Sequence, residues 1–291
     1  MKKAVISFGG GVQSTTLAWL VINRDPRLAK IVTVWPSMFV FADTGDEPAE
    51  VYEHVERMRK VILDAGLDFA TVRSPIWDGR GLGQSMIEWR ELKKRDGGQG
   101  KPHPGPFYIE RDARSSYPIP RECTVKYKVK PIQAFVRVWA EIPRGYKGEA
   151  YVEEWLGISA DEAQREKVSA RNTGYDRARA YRHPLLEMGW RRSHCHEYLD
   201  SIDERAPRSA CVFCPFHTRG EWRELKSKPA EWAKVVAYEE AVHAAFDEGC
   251  LTFRSKPYLH WSRVPIGEVD FDEGQQSLFG WDDECAGVCG V

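Results

Sequence analysis

The chain has 291 residues, enough to bury a full core, with 29% charged residues and 42 Lys and Arg against 43 Asp and Glu. That balance excludes wholesale coating of nucleic acid but allows a local basic face. No apolar run approaches the roughly 20 residues of a bilayer span, so no membrane partner is expected. The Met-Lys-Lys start leads into too few apolar residues for a secretion signal, so a cytoplasmic setting is expected. In that setting seven cysteines point to metal or thiol chemistry rather than to a disulfide framework.

The elements begin as an alternation of strands and helices. Ala4 to Phe8 is a short apolar strand, followed by glycines and an apolar helix over Val12 to Ile22. Phe39 to Ala42 reads as a second, buried strand. It is followed by Asp43-Thr44-Gly45 and a helix from about Pro48 to Ala65, which Asp46, Glu47 and an early proline start well. Phe69 to Arg73 makes a third strand. Residues 96 to 120 are rich in Gly, Pro and charge without periodicity, and read as a mobile loop of lid or substrate-contact type. A helix is expected from Cys123 to Val138, strands over Val152 to Ile158 and Tyr181 to Leu186, and a helix over His194 to Asp203. Beyond a Cys-Pro turn at Cys211 to Pro215 the chain reads as helical to Glu248, with Trp222 and Trp232 in core patterns. The tail beyond Pro257 has weak periodicity and ends in Cys285-Ala-Gly-Val-Cys289. No internal repeat is present. The expected class is α/β, a parallel twisted sheet flanked by helices, in a domain over 1–190; residues 191–291 form a helical, cysteine-containing C-terminal region.

Ligands in such sheets bind at the carboxyl ends of the strands, where both the glycine loop and the Asp43 turn fall. The loop is Ser7-Phe8-Gly9-Gly10-Gly11-Val12-Gln13-Ser14-Thr15. Glycines after a strand leave backbone amides free to surround an anion, and the following helix points its positive end at the same spot. No Gly-Lys-Ser/Thr follows, so this is not a Walker loop, and the spacing is not Gly-x-Gly-x-x-Gly.

On these residues the loop resembles the Ser-Gly-Gly-x-Asp-Ser motif of PP-loop ATP pyrophosphatases, in the branch related to phosphoadenosine phosphosulfate (PAPS) reductase. Gly10, Gly11 and Ser14 match. Gly9 stands for the first Ser and Gln13 for the Asp, and Ser7 is placed to supply the missing hydroxyl. Phe41 to Pro48 resembles that branch's Asp-Thr-Gly turn, and Leu156-Gly157-Ile158-Ser159-Ala160-Asp161-Glu162-Ala163-Gln164-Arg165 resembles its Gly-Ile-Arg-x-x-Glu-x-x-x-Arg segment, with Ser159 where arginine is usual. The resemblance covers roughly residues 4 to 215. It implies an adenine nucleotide alpha hydrolase-like fold that binds ATP with Mg2+. The nucleotide would be held by Ser7, Gly9, Gly10, Gly11, Gln13, Ser14, Thr15, Asp43, Thr44, Gly45 and Arg165, the last as a bidentate phosphate donor.

Cys211-Val-Phe-Cys214-Pro is the sharpest local signal. Thiolates at this spacing suit one metal centre, a redox pair or a zinc knuckle. Cys123 and Cys195 bring the set to four, the number a [4Fe-4S] cluster needs, and the resemblance extends to iron-sulfur relatives in DNA phosphorothioation and tRNA thiolation and to phage PAPS reductase-like proteins. Zinc is the alternative metal, for which His194, His196 or His217 would replace a thiol. Cys250 reads as a core residue. Cys285 and Cys289 are candidate tail nucleophiles; packed, incidental thiols or a redox pair are the other readings.

The leading expectation is therefore an ATP-dependent adenylating enzyme. It would transfer sulfur to a nucleobase or nucleic acid from a separate donor, and a homodimer is compatible with it. Six arginines between Arg171 and Arg192 offer a basic face for such a substrate, or a merely solvated surface. A sulfonucleotide reductase using Cys285 or Cys289 is the second expectation, and a zinc-containing nucleic-acid-binding module the third.

Overall fold

The computed structural model describes residues 3–89, 91, 105, 107–112, 115–119, 122–146, 148–165, 178–251 and 253–272. Among them five strands form one parallel sheet: β1 (Lys3–Ser7), β2 (Met38–Asp43), β3 (Asp68–Arg73), β6 (Val152–Leu156) and β7 (Arg179–Arg182), in the order β3-β2-β1-β6-β7. The α-helices longer than one turn are α1 (Val12–Ile22), α2 (Ala49–Asp64), α3 (Leu82–Ile87), α4 (Lys130–Trp139), α5 (Arg192–Ser201), α6 (Arg219–Lys226) and α7 (Pro229–Asp247). A separate antiparallel hairpin pairs β4 (Tyr108–Asp112) with β5 (Ser115–Pro118).

Continuous apolar runs mark strands covered on both faces. Phe39 and Phe41 of β2 enter one core with Ile6, Trp155, Leu17 and Met58, packed against α1, α2 and α5. Val40 and Ala42, one residue out of phase, enter the opposite core with Val5, Val152 and the Ile132 and Val136 face of α4. Val51, Val55, Met58 and Ile62 make the buried stripe of α2 at helical spacing. Each such fully buried side chain contributes about 1.5–3 kcal/mol.

A third core lies outside the sheet. It joins Leu82 and Met86 of α3, Phe107, Tyr127, Val212, Phe213, Trp222 and Leu225 of α6, and Val235, Tyr238 and Val242 of α7. Trp222 is fully buried there and Trp232 packs on it, as their spacing indicates.

Three sequence expectations change. The stretch 96–120, in part outside the described residues, contains the β4–β5 hairpin, held to the body by a Tyr108–Tyr258 bridge and by buried Phe107 and Ile109; glycines and prolines around it mask the strands. β7 ends at Arg182 and Pro184–Glu187 turns helical, because proline has no amide for a ladder and a φ suited to a first turn. The C-terminal helix is two, since Thr218 caps α6 and Pro229 restarts the chain as α7.

Candidate functional site

The strand order reverses direction between β1 and β6, and the crevice beyond their carboxyl ends is where an open parallel sheet binds ligands. β1 delivers the glycine loop to that edge. Gly10 has φ +75°, and a β-carbon there would lie 2.8 Å from Val55 Cγ2 of α2, so glycine is needed for conformation and for space. The first amide of α1 to find a helical carbonyl is that of Thr15, bonded to Gly11 O at 2.9 Å. The amides of Val12 and Gln13 precede it and have no intrahelical acceptor. The Ser14 hydroxyl accepts from Gly11 N–H at 3.2 Å and donates to Gly11 O at 3.0 Å. The result is a row of donors at the positive end of an 11-residue helix, the arrangement that suits phosphate.

Ser7, expected to lend its hydroxyl to the loop, donates it instead to Glu154 Oε1 at 2.8 Å, and Glu154 pairs with fully buried Arg179 at 2.5 Å. Arg182 is bound to Glu187 and to Ile31 O, so two of the six arginines serve the fold. Arg171 and Arg177 lie outside the described residues.

Two of the three positions that depart from the motifs, Gln13 and Ser159, meet in space. Gln13 Nε2 lies 3.2 Å from Glu162 Oε2 and 3.5 Å from Ser159 Oγ. Arg165, buried, donates to the same Glu162 oxygen at 2.8 Å. Gln13, Ser159, Glu162 and Arg165 therefore form one network joining α1 to the segment after β6. A neutral amide at position 13 donates to Glu162, which an aspartate would repel.

At the end of β2, Asp43 is fully engaged. Its Oδ1 accepts from Gly45 N–H and the Tyr52 hydroxyl, both at 2.8 Å, and its Oδ2 from Arg73 Nε at 2.8 Å and a terminal nitrogen at 2.6 Å. It shapes the turn, in which Gly45 has φ +82° and approaches Gly81 too closely for a side chain. Thr44 bonds Glu47, and Glu47 is also paired with Lys128 at 3.0 Å. Glu47 Oε2 is buried without a hydrogen-bond partner among the described residues. Asp46 sits beside it, its carboxyl raised to about 6 by burial against the Gly83 N–H bond that favours the charge.

Sequence reading missed the groups that hold the loop from below and above. His54 of α2, buried, meets the Thr15 hydroxyl through Nε2 at 2.8 Å and Arg57 through Nδ1 at 2.9 Å. Since Arg57 can only donate, Nδ1 accepts and Nε2 carries the proton, so the ring is neutral. Burial, helped by Arg57 and opposed by Glu204, lowers its pKa to about 4. Arg57 then grips Glu204 at 2.7 and 2.5 Å and Arg205 O at 3.3 Å. From there residues 205–210 cross the glycine loop, placing Ser209 Cβ 3.3 Å from where a β-carbon on Gly11 would stand. In the sequence His54 and Arg57 offer only a helical i, i+3 spacing, and Glu204 offers no signal.

The strap runs directly into the thiol loop. Val212 N–H bonds Asp46 O at 2.8 Å, Cys214 N–H bonds Cys211 O at 2.9 Å, and His217 Nε2–H donates to the same carbonyl at 2.9 Å. Glu221 lies 3.6 Å from the other ring nitrogen. Burial raises the Glu221 carboxyl, but His217, Arg208 and the Thr218 amide outweigh it and hold it at about 2. Cys123 and Cys211 both pack, partly buried, against the core that contains Tyr238, whose ring stacks on Phe213 with centroids 4.0 Å apart. Cys250 packs on the same core, half-buried.

Cys195 does not join them. It is buried in the sheet core between α5 and α1, where Thr16 bonds its carbonyl and burial pushes its thiol up to about 12. Among the described residues no group of three or more His, Cys, Asp and Glu is arranged to hold a metal ion. Cys195 lies in a different core from the one Cys123 and Cys211 pack against, so the fold does not bring the four predicted thiols together. His194 caps the Arg191 amide and His196 is exposed. Cys285 and Cys289 lie outside the described residues.

Among the described residues no helix is long and apolar enough to cross a membrane. No family model and no curated protein matches the chain.

Proposed function

We propose that this chain is an ATP-using enzyme of the PP-loop, PAPS reductase-like type, which adenylates a substrate oxygen and releases pyrophosphate as a prelude to sulfur transfer. One juxtaposition carries the reading. The glycine loop, with open amides at the start of α1, lies under the strap that leads into Cys211 and Cys214, and Val212 ties that thiol loop to the Asp43–Glu47 turn. The glycine loop and the Cys211–Cys214 loop thus share one sheet edge.

In this reading the amides of Gly9, Gly10, Val12 and Gln13 donate to the phosphate oxygens, and Arg165 is linked to the loop through Glu162, which balances its charge and accepts from Gln13. Mg2+ is commonly bound by one or two carboxylates together with phosphates, and Glu47, with its open buried oxygen, is the residue that would hold it. A substrate oxygen attacks the α-phosphorus, the bond to the β-phosphate oxygen breaks, and pyrophosphate leaves with the electron pair. A sulfur nucleophile from a separate donor then attacks the activated carbon; its bond to oxygen breaks and AMP departs. The chain's own contribution is positioning and charge stabilisation.

The test is product analysis. Purified protein incubated with Mg·ATP and candidate nucleobase or nucleic-acid acceptors is expected to release pyrophosphate, with AMP in equal amount once a sulfide donor is added. Orthophosphate and ADP as products would refute adenylation. Sulfite release from a sulfonucleotide, lost in Cys289→Ser, would replace this reading with reduction.

A further inference from the structure

We infer that His54 is a positioning residue for the phosphate site, acting through Thr15 and Arg57 on the two walls of the glycine loop. The inference rests on the phosphate reading above and deepens it. One wall is the first turn of α1, where buried Thr15 is the first residue to close a helical hydrogen bond. The other is the strap 205–210, whose base at Glu204 and Arg205 is held by Arg57. His54 is the group that touches both systems, donating to Thr15 at 2.8 Å and accepting from Arg57 at 2.9 Å.

The chemistry of the contact is specific. A neutral imidazole with its proton on Nε2 satisfies a hydroxyl on one side and a guanidinium on the other. A protonated ring would face Arg57 as a second cation. An alanine would take this partner from the fully buried Thr15 hydroxyl, a group costly to leave unmade, and remove one of the acceptors that orient Arg57. The loop amides depend on this support because Gly10 already rests on Val51 and Val55 of the same helix. A shift of α2 relative to α1 therefore displaces the donors that would meet the phosphate. His54 itself touches no phosphate in this account.

The experiment measures pyrophosphate and Mg·ATP affinity by calorimetry on full-length wild type, His54→Ala, His54→Gln, Thr15→Val and the His54→Ala/Thr15→Val double variant. All are held well below the unfolding transition and checked for folding by circular dichroism. His54→Ala is expected to weaken both ligands about 3- to 10-fold, the scale of a lost hydrogen bond. Glutamine, whose amide can donate to Thr15 and accept from Arg57, is expected to restore most of the affinity. The double variant should bind no more weakly than His54→Ala by more than about twofold. Unchanged affinity in folded His54→Ala, even with a lowered melting point, would make His54 merely structural and overturn the inference. Should His54→Ala not fold, Thr15→Val alone decides, with the same expected loss and the same refutation. Wild type that binds neither ligand would remove the phosphate reading itself, an outcome visible before any variant is compared.

Discussion

Replacing Gln13 by aspartate restores the residue usual in the motif the loop resembles, yet the structure makes this the wrong residue here. Gln13 Nε2 sits 3.2 Å from Glu162 Oε2. In Gln13→Asp a donor becomes a second carboxylate. Two like charges at 4 Å repel by about 4 kcal/mol at an effective dielectric of 20. Partial exposure, salt and the Arg165 partner of Glu162 reduce this to about 1–2 kcal/mol. Loss of the amide bond adds about 1 kcal/mol, and the favourable placement of an acid at a helix start returns about 0.3–1 kcal/mol. The net expectation is a loss of about 1–3 kcal/mol in urea unfolding, with weaker Mg·ATP binding. Glu162→Gln in the same chain should recover about 1 kcal/mol or more, since it removes the repulsion. Gln13→Asp as stable as wild type, or a double variant no better than the single, would refute the network's role.

Three further outcomes follow from the same geometry. Gly10→Ala should destabilise the fold by about 2–4 kcal/mol in denaturant, combining left-handed strain with a clash against Val55; Val55→Ala should relieve the clash but not the strain, and an additive pair would contradict this. His54, neutral when folded with its pKa lowered to about 4 by burial and Arg57, binds its proton more readily in the unfolded chain. Stability is therefore fully present above about pH 6.5 and falls as pH drops towards 4, by roughly 3 kcal/mol at most; a His54→Gln protein with an undiminished slope over that interval would remove His54 as the cause. Cys195, with its thiol pushed up to about 12, should resist alkylation at pH 8 in the native protein and react on unfolding. Cys195→Ala should leave iron, sulfide and zinc content unchanged after anaerobic purification, whereas Cys211→Ser and Cys214→Ser lower whatever metal is present; metal lost with Cys195→Ala would reinstate it as a ligand.

The sheet was readable because each of its features has a local cause. Continuous apolar runs mark strands covered on both faces, and glycines or an acid-rich turn follow the strands at the ligand-binding edge. The hairpin at Tyr108–Asp112 and Ser115–Pro118 was not readable, because its burial comes from Tyr258 and α7, more than a hundred residues away. The same holds within the site. Gly10, Gln13 and Arg165 were legible as motif positions, but the Gln13–Glu162 contact spans 149 residues, and Arg57–Glu204 spans 147. Cysteine counting grouped Cys195 with the thiol pair by number alone. Its place was decided by α5 packing on α1, which counting cannot see.

The central claim is that phosphates sit on the loop amides, and amide-resolved NMR of the labelled protein tests it most directly. Titration with pyrophosphate and with Mg·ATP is expected to shift the amide signals of Gly9, Gly10, Val12 and Gln13 first and most, with ATP alone adding shifts at the Asp43–Gly45 turn. Saturable binding that leaves those loop amides unmoved, or no binding of either ligand, would contradict the account.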